Sequence, residues 1–191
     1  VVTLNGTGEN SVTLLGTAAG DDEVSVGTTG VGSGLSVSTG EDADLVTLLD
    51  TGENSATVIS AGADIDAINV RGTGIGSATD VFGGGGSDLV NLSSLAGTLD
   101  GILGAVCVFG DDHDLGATQN AEVMAKQTTV AAQVESGDLL RISDFSSPSD
   151  NTYALSETTF QRTAATATGL ITYSTIESLQ VGTGQGSDTL N

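Results

Sequence analysis

Leu4, Val26, Leu48, Val70 and Leu92 stand 22 residues apart without exception, and this fixed step constrains the fold more than any other feature. The last four close the pattern Asp-x-apolar-x-apolar in the segments DEVSV, DLVTL, DAINV and DLVNL, opened by Asp22, Asp44, Asp66 and Asp88. About half a repeat later comes a second short alternating stretch: SVTLL at 11–15, GLSVS at 34–38, SATVI at 55–59 and SATDV at 77–81. Gly, Asn, Asp, Ser and Thr fill the turns between them. A flexible linker keeps no register, and a hairpin sandwich has no need of a constant repeat length. Two strands and two turns per repeat predict an all-β fold, a parallel β-solenoid (β-helix) with about 22 residues per coil, in which equivalent residues stack ~4.8 Å apart. Val24, Val26, Val46, Leu48, Ile68, Val70, Val90 and Leu92 then point inward in columns.

A longer period overlies the short one. TGENS occurs at Thr7–Ser11 and again at Thr51–Ser55, while TGVGS from Thr29 is echoed by TGIGS from Thr73, so two coils read as one duplicated unit. From Ser93 the register is interrupted, and the next Asp-x-apolar-x-apolar match is DLLRI at Asp138–Ile142. Between them, residues 118–134 are rich in Ala, Gln, Met and Lys, contain no Gly or Pro and end before Gly137, which predicts one inserted α-helix with Val123, Met124, Val130, Ala131 and Val134 on its apolar side. The expected organisation is regular coils over 1–112, a helical insertion over 113–137 and continuing coils over 138–191.

The apolar residues are almost all Val, Leu, Ile and Ala, with no Trp, and 28 of the 191 residues are Gly, a composition suited to thin layers of small branched side chains. Four Lys and Arg face 25 Asp and Glu, a net charge of −21. Nucleic acid and anionic membrane surfaces require a basic face and are excluded as partners, and no apolar run has membrane length. A divalent cation is the natural partner, and a solvated acidic surface suited to high salt is the alternative. Cys107 is alone, which excludes an internal disulfide and a thiolate metal cluster; its setting in AVCVF suits a small packed residue. The chain opens on VVTLNG without an initiator Met or signal peptide and reads as a processed protein or a slice of something longer.

Parallel stacking places Asp22, Asp44, Asp66 and Asp88 in one column, where unneutralised carboxylates repel. Hydrogen bonds from turn N–H groups would offset this, as would Ca²⁺, a hard ion taking 6–8 oxygens, including the carbonyls that glycine turns expose. GGGGSDLVN, Gly83–Asn91, resembles at every fixed position the calcium-binding nonapeptide of repeats-in-toxin proteins, Gly-Gly-x-Gly-x-Asp-x-apolar-x. The resemblance implies Ca²⁺ at the turn carrying Gly84, Gly86 and Asp88. TGQGSDTLN, with Gly184, Gly186 and Asp188, misses only the first glycine. AGADIDAIN and TGEDADLVT replace a later glycine by Asp64 and Asp42, ahead of Asp66 and Asp44, and those proteins use two nonapeptides per 18-residue coil where this chain offers one such turn per 22. In addition LDGILGAV, NTYALSETTFQR and ITYSTIESLQVGTGQGSDTL are similar to the tandem modules of very large bacterial surface and extracellular proteins. That similarity implies an extracellular or cell-surface structural module of a filament, surface layer or long adhesin rather than a catalyst.

Two other function classes are open. Parallel β-helices also host carbohydrate-acting enzymes, for which the available bases and cations are His113, Arg71, Arg141, Arg162 and Lys126; GDDHD at Gly110–Asp114 is the one local cluster, and it lacks a second His. An ice-binding or other flat-array surface would use the outward column Thr3, Ser25, Thr47, Asn69 and Asn91, which is equally what solvent-facing strand positions look like. The ends add an expectation about assembly: joining Asn191 to Val1 of another copy reads DTLNV, the same pattern as DEVSV, so copies continue head to tail, with cell-surface or matrix contacts as further partners.

Overall fold

A computed structural model describes residues 1–112 and 137–191, and these residues are all-β, arranged in two sheets. The expected helix over 118–134, together with His113 and Lys126, lies outside the described residues. The first sheet runs β1 (Val2–Gly6), β3 (Glu23–Thr28), β5 (Leu45–Asp50), β7 (Ala67–Val70), β9 (Leu89–Leu92), β11 (Leu139–Ser143) and β15 (Ser178–Gly182). Facing it are β2 (Val12–Gly16), β4 (Gly34–Gly40), β6 (Ala56–Ala63), β8 (Ala78–Gly85) and β10 (Ala105–Asp112), followed by β14 (Ile171–Ser174), β13 (Thr159–Ala164), β12 (Thr152–Leu155) and β16 (Thr189–Leu190).

Up to β9 each repeat gives one strand to each sheet, and every pairing is parallel. Val2 pairs with Val24, Val24 with Val46, Val46 with Ile68 and Ile68 with Val90, each a step of 22. On the opposite sheet Val37 pairs with Ile59 and Ile59 with Val81. The predicted inward residues form the core: Val24, Val46, Leu48, Ile68, Val70 and Leu92 are fully buried, and Leu35, Val37, Ile59 and Val81 meet them from the second sheet. Each such side chain contributes about 1.5–3 kcal/mol on burial.

Beyond β9 the repeat changes. The loop 93–104 is longer than its predecessors, so that Ala105 pairs with Ala78 rather than with a residue 22 positions back. The step from β9 to β11 is 50, Leu139 lying beside Leu89, yet the parallel register of the first sheet survives it. The expected unbroken parallel coils over 138–191 give way to two antiparallel pairs, β12 with β13 and β13 with β14. A tight turn starts the reversal: the Ser156 N–H donates to the Thr159 carbonyl at 2.9 Å, and the two side-chain hydroxyls are 2.7 Å apart. Larger side chains fill the core of this half, with Tyr153 stacked on Phe160 at a centroid separation of 5.8 Å.

Candidate functional site

The turn leading from the second sheet to the first carries the aspartates. The Asp22 N–H donates to Asp44 Oδ1 at 2.7 Å, the Asp44 N–H to Asp66 Oδ1 at 2.8 Å, the Asp66 N–H to Asp88 Oδ1 at 2.8 Å and the Asp88 N–H to Asp138 Oδ1 at 2.8 Å. Asp138 in turn donates its N–H to Glu177 Oε2 at 2.8 Å. Each carboxylate thus caps the backbone of the rung before it, and Asp44, Asp66, Asp88 and Asp138 are buried. The sequence placed four aspartates in this column; Asp138 and Glu177 extend it across the insertion.

One oxygen per carboxylate is used in these bonds. Oδ2 of Asp44 and Oδ2 of Asp66 are buried with no hydrogen-bond partner. Burial pushes the Asp66 carboxyl up to about 9, with the charges of Asp88, Asp44 and Asp64 adding to the effect and the bond from the Asp44 N–H opposing it. Burial raises Asp44 in the same way, against its bond from the Asp22 N–H and the nearby Thr39 hydroxyl. A stack of carboxylates in a low-dielectric turn therefore favours neutralisation, by protons or by a cation.

Glycine is required here by space and by backbone conformation. Gly62 and Gly84 have φ of 119° and 102°, and a Cβ on either would overlap the carbonyl oxygen of the glycine one repeat earlier, Gly40 and Gly62 respectively. Two residues on, Asp42 and Asp64 hold φ of 75° and 74° where Gly86 stands in the fourth repeat, so a second, more exposed carboxylate row flanks the buried one. The Asp42 N–H donates to Asp64 Oδ2 at 3.3 Å. Among the described residues no three carboxylate, imidazole or thiol groups converge into a ready metal cage. A cation here would have to draw on carbonyls and water as well as on one or two carboxylates.

Asp188 belongs elsewhere. TGQGS, Thr183–Ser187, follows a strand of the first sheet and precedes β16 of the second, so it occupies the opposite turn from Gly83–Ser87. Asp188 Oδ1 accepts from the Asn151 N–H at 2.9 Å, outside the column. Gly184 sits against the Ser147 carbonyl, where a Cβ would come within 2.7 Å, and Gly186 packs on Ser149 in the same way.

That opposite turn has its own polar column, which looks in the sequence like two alternating motifs. Thr29 Oγ1 accepts from the Gly52 N–H at 2.9 Å and donates to Ser55 Oγ at 3.1 Å, and Ser55 donates to the Gly52 carbonyl at 2.7 Å. Thr7 with Gly30 and Ser33, and Thr51 with Gly74 and Ser77, repeat the arrangement. The 44-residue alternation has a steric origin at the left-handed position, occupied by Asn10, Gly32, Asn54 and Gly76. Asn10 Oδ1 lies 2.6 Å from where a Cβ on Gly32 would stand, and Asn54 Oδ1 2.5 Å from that of Gly76. An Asn in one repeat thus fills the space over the Gly of the next.

Arg162, considered above as a substrate-binding cation, is 1% exposed and acts inside the fold. Its Nη1 donates to both Asp144 oxygens at 3.1 and 2.9 Å, its Nη2 to Asp100 Oδ1 at 2.6 Å and its Nε to the Thr166 carbonyl at 2.7 Å. Burial alone would lower its pKa, but the bonds to Asp100 and Asp144 outweigh that and raise it. Tyr153 Oη donates to Asp144 Oδ2 at 2.8 Å; burial, reinforced by that carboxylate, pushes the phenol up to about 12.

Arg71 and Arg141 line a depression of roughly 340 Å³ on the outer face of the first sheet, closed on one side by the loop 93–97. Asn69 and Asn91, expected as solvent-facing, are only 4% exposed here. Cys107 is a free thiol, half-buried on β10. Comparisons of the chain with protein-family models, with curated proteins and with solved structures each returned no match.

Proposed function

We propose that the chain is a β-solenoid module of an extracellular or cell-surface structural array, stabilised by Ca²⁺ along its aspartate column and continued end to end by further coils of the same kind. The observation that carries this reading is the buried carboxylate column, in which Asp44 and Asp66 each keep one oxygen without a hydrogen-bond partner while the other caps a backbone N–H. The donor set is all oxygen, as a hard dication prefers, and Asp22, Asp44, Asp66 and Asp88 together with Asp42, Asp64 and the carbonyls around Gly84 and Gly86 would hold it. Asp188, Gly184 and Gly186 would form a separate and weaker turn site. Ca²⁺ supplies positive charge in place of protons. Sites with few carboxylates per ion suit the ~10⁻⁴–10⁻³ M affinities of extracellular modules.

The ends support continuation. β1 and β2 are edge strands at one end of the sheets and β15 and β16 at the other. Leu190 on β16, in register with the buried Tyr153, is 54% exposed, and the core-facing Val2, Leu4 and Leu15 are only partly buried. Open edges with apolar side chains invite a further coil, from a longer polypeptide or from another copy of this chain, and such a heterologous contact propagates a fibre. Electron micrographs and light scattering of the 191-residue chain with Ca²⁺ and with chelator test the reading. Concentration-dependent filaments with Ca²⁺, lost in Leu190→Asp, are expected. A chain that stays monomeric under every condition overturns self-assembly, and one that assembles identically in chelator overturns the role of Ca²⁺.

A further inference from the structure

In a chain with 25 carboxylates, the two arginines that share the depression on the first sheet stand apart from them. Among the described residues no acidic group lies within ion-pair distance of Arg71 or Arg141, whereas Arg162 has two. Neutral partners hold both guanidinium groups instead. Arg71 Nη2 donates to Asn69 Oδ1 at 3.0 Å and Nη1 to the Ser93 carbonyl at 3.3 Å, and its Nε is buried with no hydrogen-bond partner. Arg141 donates Nε and Nη2 to Gln180 Oε1 at 3.0 and 2.9 Å. These amides aim the positive groups without neutralising them. Register places them on either side of β9: Asn69 pairs with Asn91, and Asn91 with Arg141, so the two arginines stand two rungs apart and both line the depression over β9.

The depression lies where the 22-residue repeat is first broken. The loop after β9 puts Ser94 and the 80% exposed Leu95 on its rim, and Ser146 from the segment after β11 joins them. Two forked cations, several hydroxyls and one apolar edge form a small polar site, at the lower end of the volumes that hold small molecules. Planar guanidinium groups match a carboxylate by paired hydrogen bonds. The field of a −21 chain opposes a dianion or a polyanion more than a single negative charge, and so favours a compact monoanion.

We propose that the Arg71–Arg141 depression is a binding site for a compact hydroxylated acid of hexuronic-acid size, its carboxylate held in the field of the two guanidinium groups and its hydroxyls meeting the serine rim. The same chemistry is offered by a free sugar acid and by the terminal acidic residue of a glycan. The site is distinct from the aspartate column and does not depend on assembly or on Ca²⁺.

Calorimetric titration of the 191-residue chain with glucuronate, its methyl glycoside and glucose tests this directly. Saturable binding of glucuronate, at least tenfold weaker binding of glucose and weakening by added NaCl are expected. Binding of the methyl glycoside as tightly as the free acid identifies a glycan terminus as the source, and its loss identifies the free acid. Arg141→Gln should reduce affinity about tenfold or more and Arg141→Lys less, because Lys keeps the charge but not the fork. Arg71→Gln should act like Arg141→Gln, with circular dichroism checking that each variant is folded. If Arg71→Gln fails to fold, Arg141→Gln alone decides. No saturable binding at millimolar glucuronate, equal binding of glucose, or affinity unchanged in Arg141→Gln overturns the proposal.

Discussion

The regular region of the molecule, through β9, and the region that follows it solve the same problem in two ways. Both bury polar groups between their sheets and turns. Through β9 a local solution is copied every 22 residues: a carboxylate caps the preceding rung on one side, and a Thr hydroxyl caps the Gly N–H of the following rung on the other. The later region carries the column on only through Asp138 and Glu177 and adds a long-range cluster, with Arg162 bridging Asp144 and Asp100 across 62 residues of sequence. A periodic solution tolerates a weakened rung, because neighbours above and below remain paired. A cluster built once has no such neighbour, so its loss should be local and large.

Arg162→Met should therefore have the largest effect, about 3–5 kcal/mol, because it leaves Asp144 as a buried charge without its counterion. Amide exchange should accelerate in β11–β16 while β3, β5 and β7 stay protected; equal loss of protection in both regions would break the contrast. Gly62→Ala comes next, at about 2–4 kcal/mol, since the new methyl meets the Gly40 carbonyl and φ is 119°. Chemical denaturation should register it as a lower midpoint, with the regular region opening first. A matched pair of smaller changes sharpens the account of the hydroxyls. Thr51→Val should cost about 1–3 kcal/mol by leaving the Gly74 N–H without its acceptor. Thr57→Val should instead stabilise by about 0.5–1.5 kcal/mol, because the buried Thr57 hydroxyl has no hydrogen-bond partner. The same sign for both in urea melts would show that the hydroxyl column is incidental.

How legible this was in the sequence follows from the same contrast. Strand positions, parallel register and the column of Asp22, Asp44, Asp66 and Asp88 repeat, so alignment of the chain on itself exposes them. The hydroxyl turn repeats as well, but the Asn–Gly alternation, which is steric, disguised one motif as two. TGQGS at Thr183–Ser187 matches that turn and also the glycine-aspartate nonapeptide, and only the sheet its following strand joins tells them apart. Arg162 gave no local signal, because its partners Asp100 and Asp144 come from distant segments. The reversal at Ser156–Thr159 was likewise hidden, its strands having the same alternation as parallel ones. Arg71 and Arg141 could have been flagged by one sign: Arg141 falls in the outward column of Asn69 and Asn91, where small polar residues otherwise stand.

The central claim is that the buried aspartate column is neutralised, by protons at low pH and by Ca²⁺ above it. Asp66 has a folded-state value of about 9 against 3.8 unfolded, so the native chain holds a proton that the unfolded chain releases between those limits. Its contribution is fully present below about pH 4 and is lost as pH rises toward 9, at up to ~1.4 kcal/mol per pH unit for one group. Thermal unfolding at pH 5 and pH 8.5, in chelator, in millimolar Ca²⁺ and in NaCl of equal ionic strength, tests this most directly. In chelator the midpoint should fall between the two pH values, and by less in Asp66→Asn. Ca²⁺ should restore it at pH 8.5 beyond what NaCl does and change little at pH 5. A midpoint that ignores pH in chelator, or one that Ca²⁺ and NaCl raise equally at pH 8.5, would contradict the account.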